Sequence, residues 1–239
     1  YLGVNLKNIS ILGATGSIGS NTLRLISIYK EKFNIVALTA NSDYKKLASY
    51  AKIYKSKYAV IGDITKYNNL KKELSGSNII GLAGINAIKD ISKKKTDILV
   101  SAIVGIAGLK PTYNAIGNTK VLAIANKESI VSAGSILLKK AKLKKTKIIP
   151  IDSEHNAIFQ VLENQDKNNI KDIIITASGG PFWNKDIRAF KKITIKDALK
   201  HPSWRMGKKI TIDSATMVNK VLETIEASIL FNTNLNKVK

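Results

Sequence analysis

The sequence predicts an α/β fold: a Rossmann-like, doubly wound, mostly parallel sheet, followed by a second and smaller α/β part. Three observations lead there. Short β-branched runs alternate with amphipathic helical stretches through the first 150 residues, the pattern of βαβ units. The runs are apolar almost without interruption, as strands covered on both faces are. A glycine-rich turn, Gly13-Ala14-Thr15-Gly16-Ser17-Ile18-Gly19, stands between the first run and the first helical stretch, where dinucleotide-binding folds carry one.

Element by element, strands are expected at 8–13, 34–39, 58–61, 97–104, 120–125 and 147–151. Helices are expected between them at 18–29, 44–55, 64–74, 85–92, 109–116 and 129–142. The pattern changes after Pro150, which puts a domain boundary near residue 151 and predicts domains at 1–150 and 151–239. In the second part a strand is expected at 172–177, running into Ser178-Gly179-Gly180-Pro181-Phe182. A loop centred on 201–208 follows, then a strand at 209–213 and a long helix at 215–231.

Composition narrows the function. With no Cys, disulfides, Cys-ligated zinc and thiol nucleophiles are excluded, and a reducing compartment is expected. No stretch approaches the roughly 20 apolar residues of a membrane span, so no membrane role is expected. The formal charge of +22 invites a nucleic-acid reading. It is discounted: Arg24, Arg188 and Arg205 are the only arginines, and readers of bases and phosphates favour Arg forks. No aromatics interleave with the basic runs, and Lys93-Lys94-Lys95 and the run at 139–147 fall where helices should end, a place that suits cations.

Three sets of residues carry chemistry. In the glycine-rich turn, small residues let the backbone approach a pyrophosphate, and the helix N-terminus stabilises it. The spacing G-x-x-G-x-x-G is looser than G-x-G-x-x-G, and a turn without a ligand is the bland alternative. An acid at the end of the second strand would bind an NAD ribose, but that strand ends in Ala40-Asn41-Ser42, with no carboxylate before Asp43. Ser42, Lys45 and Lys46 could instead receive a 2′-phosphate, which favours NADP, unless the lysines only face solvent.

The second set is Asp152-Ser153-Glu154-His155. In an extended segment Asp152 and Glu154 point to one side and offer oxygens to a hard cation; Glu223 is the candidate third ligand. The alternative is an N-cap followed by a first-turn acid of a helix from His155. The third set, Ser178, Ser214, Asn219 and Lys220, offers what a phosphate monoester needs. Ser214 is expected between a strand and a helix, and Asn219, Lys220 and Glu223 on one helix face. The loop from His201 through Trp204 and Met206 to Gly207 has the make-up of a closing lid, although Trp204 could also be plain core.

In order and spacing these motifs resemble one family, the 1-deoxy-D-xylulose 5-phosphate reductoisomerases, and the resemblance spans almost the whole chain. It runs through Gly13–Gly19, Ala102-Ile103-Val104-Gly105, Ala125-Asn126-Lys127-Glu128-Ser129, 152–160, 178–182, 201–208 and 213–223. The resemblance implies that the second part is a catalytic domain. It implies NADPH on Thr15, Gly16, Ser17, Ile18, Asn41, Ala102, Gly105, Asn126 and Glu128. It implies Mg²⁺ or Mn²⁺, with Co²⁺ as a further candidate, on Asp152, Glu154 and Glu223. Lys127, Ser153, Glu154, Ser178, His201, Trp204, Ser214, Asn219, Lys220 and Glu223 would meet the phosphorylated sugar. Lys127, Asp152, Glu154, His201 and Glu223 would serve catalysis.

The implied reaction rearranges 1-deoxy-D-xylulose 5-phosphate to an aldehyde, which NADPH reduces to 2-C-methyl-D-erythritol 4-phosphate. Members of the family continue through a further C-terminal portion, so the catalytic domain is expected to be truncated here. A homodimer is expected of the full-length protein, and a bacterial cytoplasm or a plastid stroma is the expected compartment. The segment Asn41-Ser42-Asp43 departs from the basic residue many members carry there. A different NAD(P) oxidoreductase acting on an anionic metabolite, or a basic nucleic-acid-binding module, are the alternatives.

Overall fold

The computed structural model describes residues 6–163, 165, 170–201 and 207–239. The chain divides into two compact units, Tyr1–Asp152 and Ser153–Lys239. Among the described residues of the first unit, seven strands form one sheet. They are β1 (Lys7–Leu12), β2 (Phe33–Ala40), β3 (Tyr58–Ile61), β4 (Ile80–Ala83), β5 (Thr96–Ser101), β6 (Thr119–Ile124) and β7 (Lys147–Pro150). Their order is β4-β3-β2-β1-β5-β6-β7, and every pairing is parallel. The chain winds outward from β1 to β4, then returns to the other side of β1 for β5 to β7. That reversal, between β1 and β5, is where open α/β sheets bind ligands at the carboxyl ends of their strands.

The connecting helices are α1 (Ser17–Ile28), α2 (Tyr44–Ile53), α3 (Tyr67–Glu73), α4 (Ile85–Ile91), α5 (Leu109–Ala115) and α6 (Lys127–Lys144). Strand residues Ile9, Ile11, Leu38 and Ile61 bury against Leu23 of α1, Leu47 of α2 and Leu70 of α3 on one face. On the other face Ala37 and Val60 meet Ile88 and Ile91 of α4. Covering both faces explains the uninterrupted apolar runs.

Three differences from the expected elements have local causes. β4 was not anticipated: it is a four-residue edge strand containing Gly81, where an added Cβ would press on Leu74 at 3.1 Å. β5 stops at Ser101 rather than 104, because the next residues turn away to form a loop with Val104 exposed. The third expected helix opens as a 3-10 turn, Ile64–Lys66, started by Asp63, whose carboxylate accepts from the Thr65 amide.

The second unit holds α7 (Ser153–Leu162), α8 (Ile195–Ala198), α9 (Lys208–Ala215) and α10 (Val218–Phe231), and α7 and α10 pack on a small core of Ile173, Ala227, Phe231 and Val238. The strand expected at 209–213 is a correction: the segment is the helix α9. A Lys209–Asp213 ion pair one turn apart at 2.6 Å and a Thr211 hydroxyl on the Gly207 carbonyl support the helical turn, although Ile210 and Ile212 alternate as in a strand. The helix expected at 215–231 is broken at Met217, whose φ of 61° is left-handed, so α10 begins at Val218. The strand expected at 172–177 contracts to one parallel bridge, Ile173 with Val238. Among the described residues, no helix is long and apolar enough to cross a membrane.

Candidate functional site

In the first unit the glycine turn is built by close approach. Gly13 has φ of +85°, and a Cβ there would lie 2.5 Å from the Ala102 carbonyl oxygen. A Cβ on Gly19 would strike the Gly13 carbonyl and the Ala14 backbone, so α1 can start tight against the end of β1. Thr39, buried at the end of β2, holds the turn: its hydroxyl accepts from the Gly13 amide at 3.0 Å and its carbonyl from the Ala14 amide at 2.7 Å. Gly16, Ser17 and Ile18 are exposed at the start of α1, with Thr15 half-buried beside them. The N–H groups of a helix's first turn there have no partner within the helix, which is the donor set an anion needs.

The end of β2 shows how the expected phosphate contacts divide. Asp43 caps α2, its carboxylate accepting from the Lys46 amide at 3.1 Å, so this acid serves the helix. Lys46 turns back and donates from Nζ to the Thr15 carbonyl at 2.9 Å, placing an ammonium beside the turn. Asn41, Ser42 and Lys45 are exposed. Thr39 and Lys46 are the residues of this turn that sequence reasoning missed or left ambiguous. A lysine one helical turn beyond an N-capping acid was the available signal.

Asn126 organises the other side of the sheet reversal. Buried at the end of β6, its Nδ2 donates to the carbonyls of Ile103 at 2.5 Å and Gly105 at 2.8 Å, while its Oδ1 accepts from the Ser129 amide and caps α6. One side chain thus fixes the loop carrying Ala102 and Gly105 to the start of α6, with Glu128 at 3.3 Å from the same amide. Lys127 is buried beside it, and its ammonium is paired with the Asp152 carboxylate.

In the second unit, Glu154 and Glu223 are gathered on one cation. Lys220 Nζ lies 3.4 Å from Glu154 Oε1, pairs with Glu223, and donates to the Thr176 carbonyl at 2.6 Å. Asn219 Nδ2 donates to the other Glu223 oxygen at 2.5 Å. The spacing of Asn219, Lys220 and Glu223 puts them on one face of α10. Glu223 is almost wholly buried, at 1% exposure. This oxygen donor set, already closed around a positive charge, suits a hard divalent cation.

Two expectations of local structure are corrected here. Glu154 lies in the first turn of α7, which begins at Ser153, so the acids are not carried by an extended segment. Ser214 lies in the last turn of α9 rather than between a strand and a helix. Lys220, the expected phosphate contact, bonds Glu154, Glu223 and the Thr176 carbonyl here. Ser178 meets His201, Oγ to Nε2 at 3.2 Å, and the adjoining Gly180 packs so closely on Ser214 that a Cβ would lie 2.6 Å from its carbonyl oxygen. Ser153 donates to Glu154 at 2.6 Å. Trp204 and Met206 lie outside the described residues.

His155 and Glu226 were not anticipated as a pair. Both are buried; His155 Nε2 lies 2.9 Å from the Glu223 carbonyl and Nδ1 lies 3.5 Å from Glu226. The signal was present in outline, since Glu226 follows Glu223 by three residues on α10 and so shares its face.

The family model for 1-deoxy-D-xylulose 5-phosphate reductoisomerase matches residues 9–134, and the model for the C-terminal domain of that reductoisomerase matches residues 148–231. The curated reductoisomerase of Wolbachia pipientis subsp. Culex pipiens (strain wPip) is 50% identical over 235 residues, covering 98% of this chain and 60% of that protein. The solved structure of the Zymomonas mobilis reductoisomerase in complex with NADPH is 44% identical with a TM-score of 0.90, covering 98% of this chain and 61% of that one. A DOX-P reductoisomerase in complex with NADPH, fosmidomycin and magnesium is 39% identical with a TM-score of 0.91, covering 98% of this chain and 60% of that one. The chain therefore spans about 60% of the length of the curated relatives it matches.

Proposed function

Since the chain belongs to the 1-deoxy-D-xylulose 5-phosphate reductoisomerase family, we propose that it takes part in the NADPH- and divalent-metal-dependent conversion of 1-deoxy-D-xylulose 5-phosphate to 2-C-methyl-D-erythritol 4-phosphate. The observation that carries this reading is the closing of Glu154 and Glu223 on a single cation, Lys220, in a chain whose other unit holds a glycine turn against a helix N-terminus. When bound, the metal would polarise the ketone and neighbouring hydroxyl oxygens, and NADPH would supply the hydride.

The chain's own residues do the remainder. Thr15, Gly16, Ser17 and Ile18 present backbone donors to the cofactor's pyrophosphate. Asn126 keeps the loop of Ala102 and Gly105 in place for the nicotinamide half, with Asn41 and Glu128 beside the cofactor. Asp152, two residues before Glu154 in the chain, is the third carboxylate of the metal set. Lys127 neutralises Asp152 and would orient the substrate, with Ser153 and His201 as further polar contacts. Ser178, Ser214, Asn219 and Lys220 would hold the phosphate, and Trp204 would close over it. Binding energy from that remote group positions the reacting carbons. The compartment proposed is the bacterial cytoplasm, and the full-length protein is proposed to be a homodimer.

The test incubates the chain with 1-deoxy-D-xylulose 5-phosphate, NADPH and Mg²⁺ or Mn²⁺, following NADPH oxidation and identifying the product by NMR. Formation of the branched polyol phosphate, abolished by a chelator, is the expected result. Reduction without skeletal rearrangement would favour a different oxidoreductase, and NADPH binding without any turnover would limit this chain to cofactor binding.

A further inference from the structure

The end of the sheet remote from the glycine turn carries a basic pocket that the proposed reaction does not use. Because the strands are parallel, β1, β5 and β6 all begin at that edge. Asn8, Thr96 and Lys120 lie at these beginnings, and Lys95, Lys144 and Lys145 close a pocket of about 350 Å³ around them. Ligand pockets run roughly 300–1,000 Å³, so this one suits a compact ligand. β1 has 6 residues, and at roughly 3.3 Å per residue its length separates the pocket from Gly13 by about 20 Å.

The charges there do not cancel. Asp97, the acid of the lining, is fully engaged: Oδ1 takes Lys120 at 2.7 Å and Oδ2 takes the Asn8 amide at 2.8 Å. Lys95, Lys144 and Lys145 have no carboxylate partner among the described residues. The C-terminus of α6 points at this edge and attracts cations, but a helix end offsets only about half a charge. Three ammoniums therefore keep most of their charge. The crowding is felt nearby, where Lys140 is held below the usual lysine range, first by burial and then by Lys144.

The backbone is shaped to keep them there. Gly117, at φ +94°, lies under the stem of Lys144, whose carbons would be 3.3–3.4 Å from any added Cβ. Lys145 adopts a left-handed conformation at the end of α6, φ 55°, where Gly is the unstrained choice. Strain of this kind in an L-residue points to a reason for retaining the side chain. Independently, Thr96 lines the same pocket, is 7% exposed, and has a buried hydroxyl with no hydrogen-bond partner among the described residues. A buried hydroxyl is normally satisfied.

We propose that this pocket is a second anion site, which binds a compact polyanion of the diphosphate class between Lys95, Lys144 and Lys145, with the Thr96 hydroxyl as a neutral donor. A diphosphate matches three cations better than orthophosphate does, and charge-assisted bonds to phosphate oxygens are the strong kind.

The test titrates the chain with inorganic pyrophosphate and, separately, adenosine diphosphate at fixed ionic strength, by calorimetry. Saturable binding of one pyrophosphate at this site is expected, at least about ten-fold tighter than orthophosphate. Lys95→Ala with Lys144→Ala should weaken it about ten-fold or more while leaving the melting temperature unchanged or raised, since like charges are removed. Thr96→Val, which removes only the hydroxyl, should weaken it several-fold without loss of stability. Adenosine diphosphate binding that falls in parallel would show that the site accepts a diphosphate on an organic carrier. Pyrophosphate affinity unchanged in both variants would place the binding elsewhere, at the glycine turn for example, and overturn the proposal. So would a response that never saturates, which would mean general ionic association.

Discussion

Asn126 and Glu223 show how single buried polar residues organise their surroundings, one in each unit. Asn126 uses both ends of its amide, donating to two loop carbonyls and capping α6. Asn126→Ala removes a cap and leaves those carbonyls unpaired, so urea denaturation should show a loss of about 2 kcal/mol. A loss below a few tenths would mean that water replaces the amide without penalty. Glu223 is buried with Asn219 and Lys220 on its two oxygens. Glu223→Gln keeps the shape and removes the charge, so Mn²⁺ affinity measured by spin resonance should fall at least about ten-fold, the lower bound for losing even an outer-shell partner, with circular dichroism unchanged. Unaltered Mn²⁺ affinity would remove Glu223 from the metal set.

At the scale of elements, the break between α9 and α10 and the start of β5 each make a measurable claim. Met217 has φ of 61°, which costs an L-residue about 1–2 kcal/mol. Met217→Gly should therefore leave thermal stability unchanged or raise it by up to about 1 kcal/mol. Inside one continuous helix, as sequence pattern suggested, the same change would cost about 1 kcal/mol. At the start of β5, the Asp97 carboxyl is held below its usual range, first by its bond to Lys120 and then by the Asn8 amide. A depressed carboxyl stabilises the fold above its unfolded value of about 3.9, and that contribution is lost as pH falls through the folded value. Denaturation midpoints measured from pH 6 down to about pH 2 should accordingly flatten in Asp97→Asn. An acid limb identical to wild type would show that Asp97 carries no linkage.

For the molecule as a whole, the +22 charge opposes compaction. Self-repulsion is screened by salt, with a Debye length of roughly 30 Å at 0.01 M falling to about 8 Å at 0.15 M. Raising sodium chloride between those limits should raise the melting temperature, as scanning calorimetry would read. A falling melting temperature would mean that specific ion pairs outweigh the net repulsion. Lys120 with Asp97 and Lys209 with Asp213 are such pairs, but exposed pairs contribute about 0–1 kcal/mol each, too little to reverse the trend.

Sequence by itself determined the α/β class, the parallel winding and the glycine turn, because these follow from local periodicity: apolar runs, 3.6-residue helices and a small-residue turn after β1. It also offered Asp152, Glu154 and Glu223 as candidate metal ligands, since they stand in motifs of recognisable order. Tertiary structure decided the rest. β4 exists because β3 offers an edge to pair with, and its own residues, Ile80 to Ala83, carry too weak a signal. α9 forms where alternating isoleucines suggested a strand, since the Lys209–Asp213 ion pair and the Thr211 hydroxyl on the Gly207 carbonyl, each spanning one turn, outweigh a short alternation. Lys46 and Thr39 reach the glycine turn only after β2 has paired beside β1. His155 and Glu226 meet only when α7 packs on α10, 71 residues apart in the chain. Local pattern records what a segment buries, and only folding brings together the polar groups that must satisfy one another once buried.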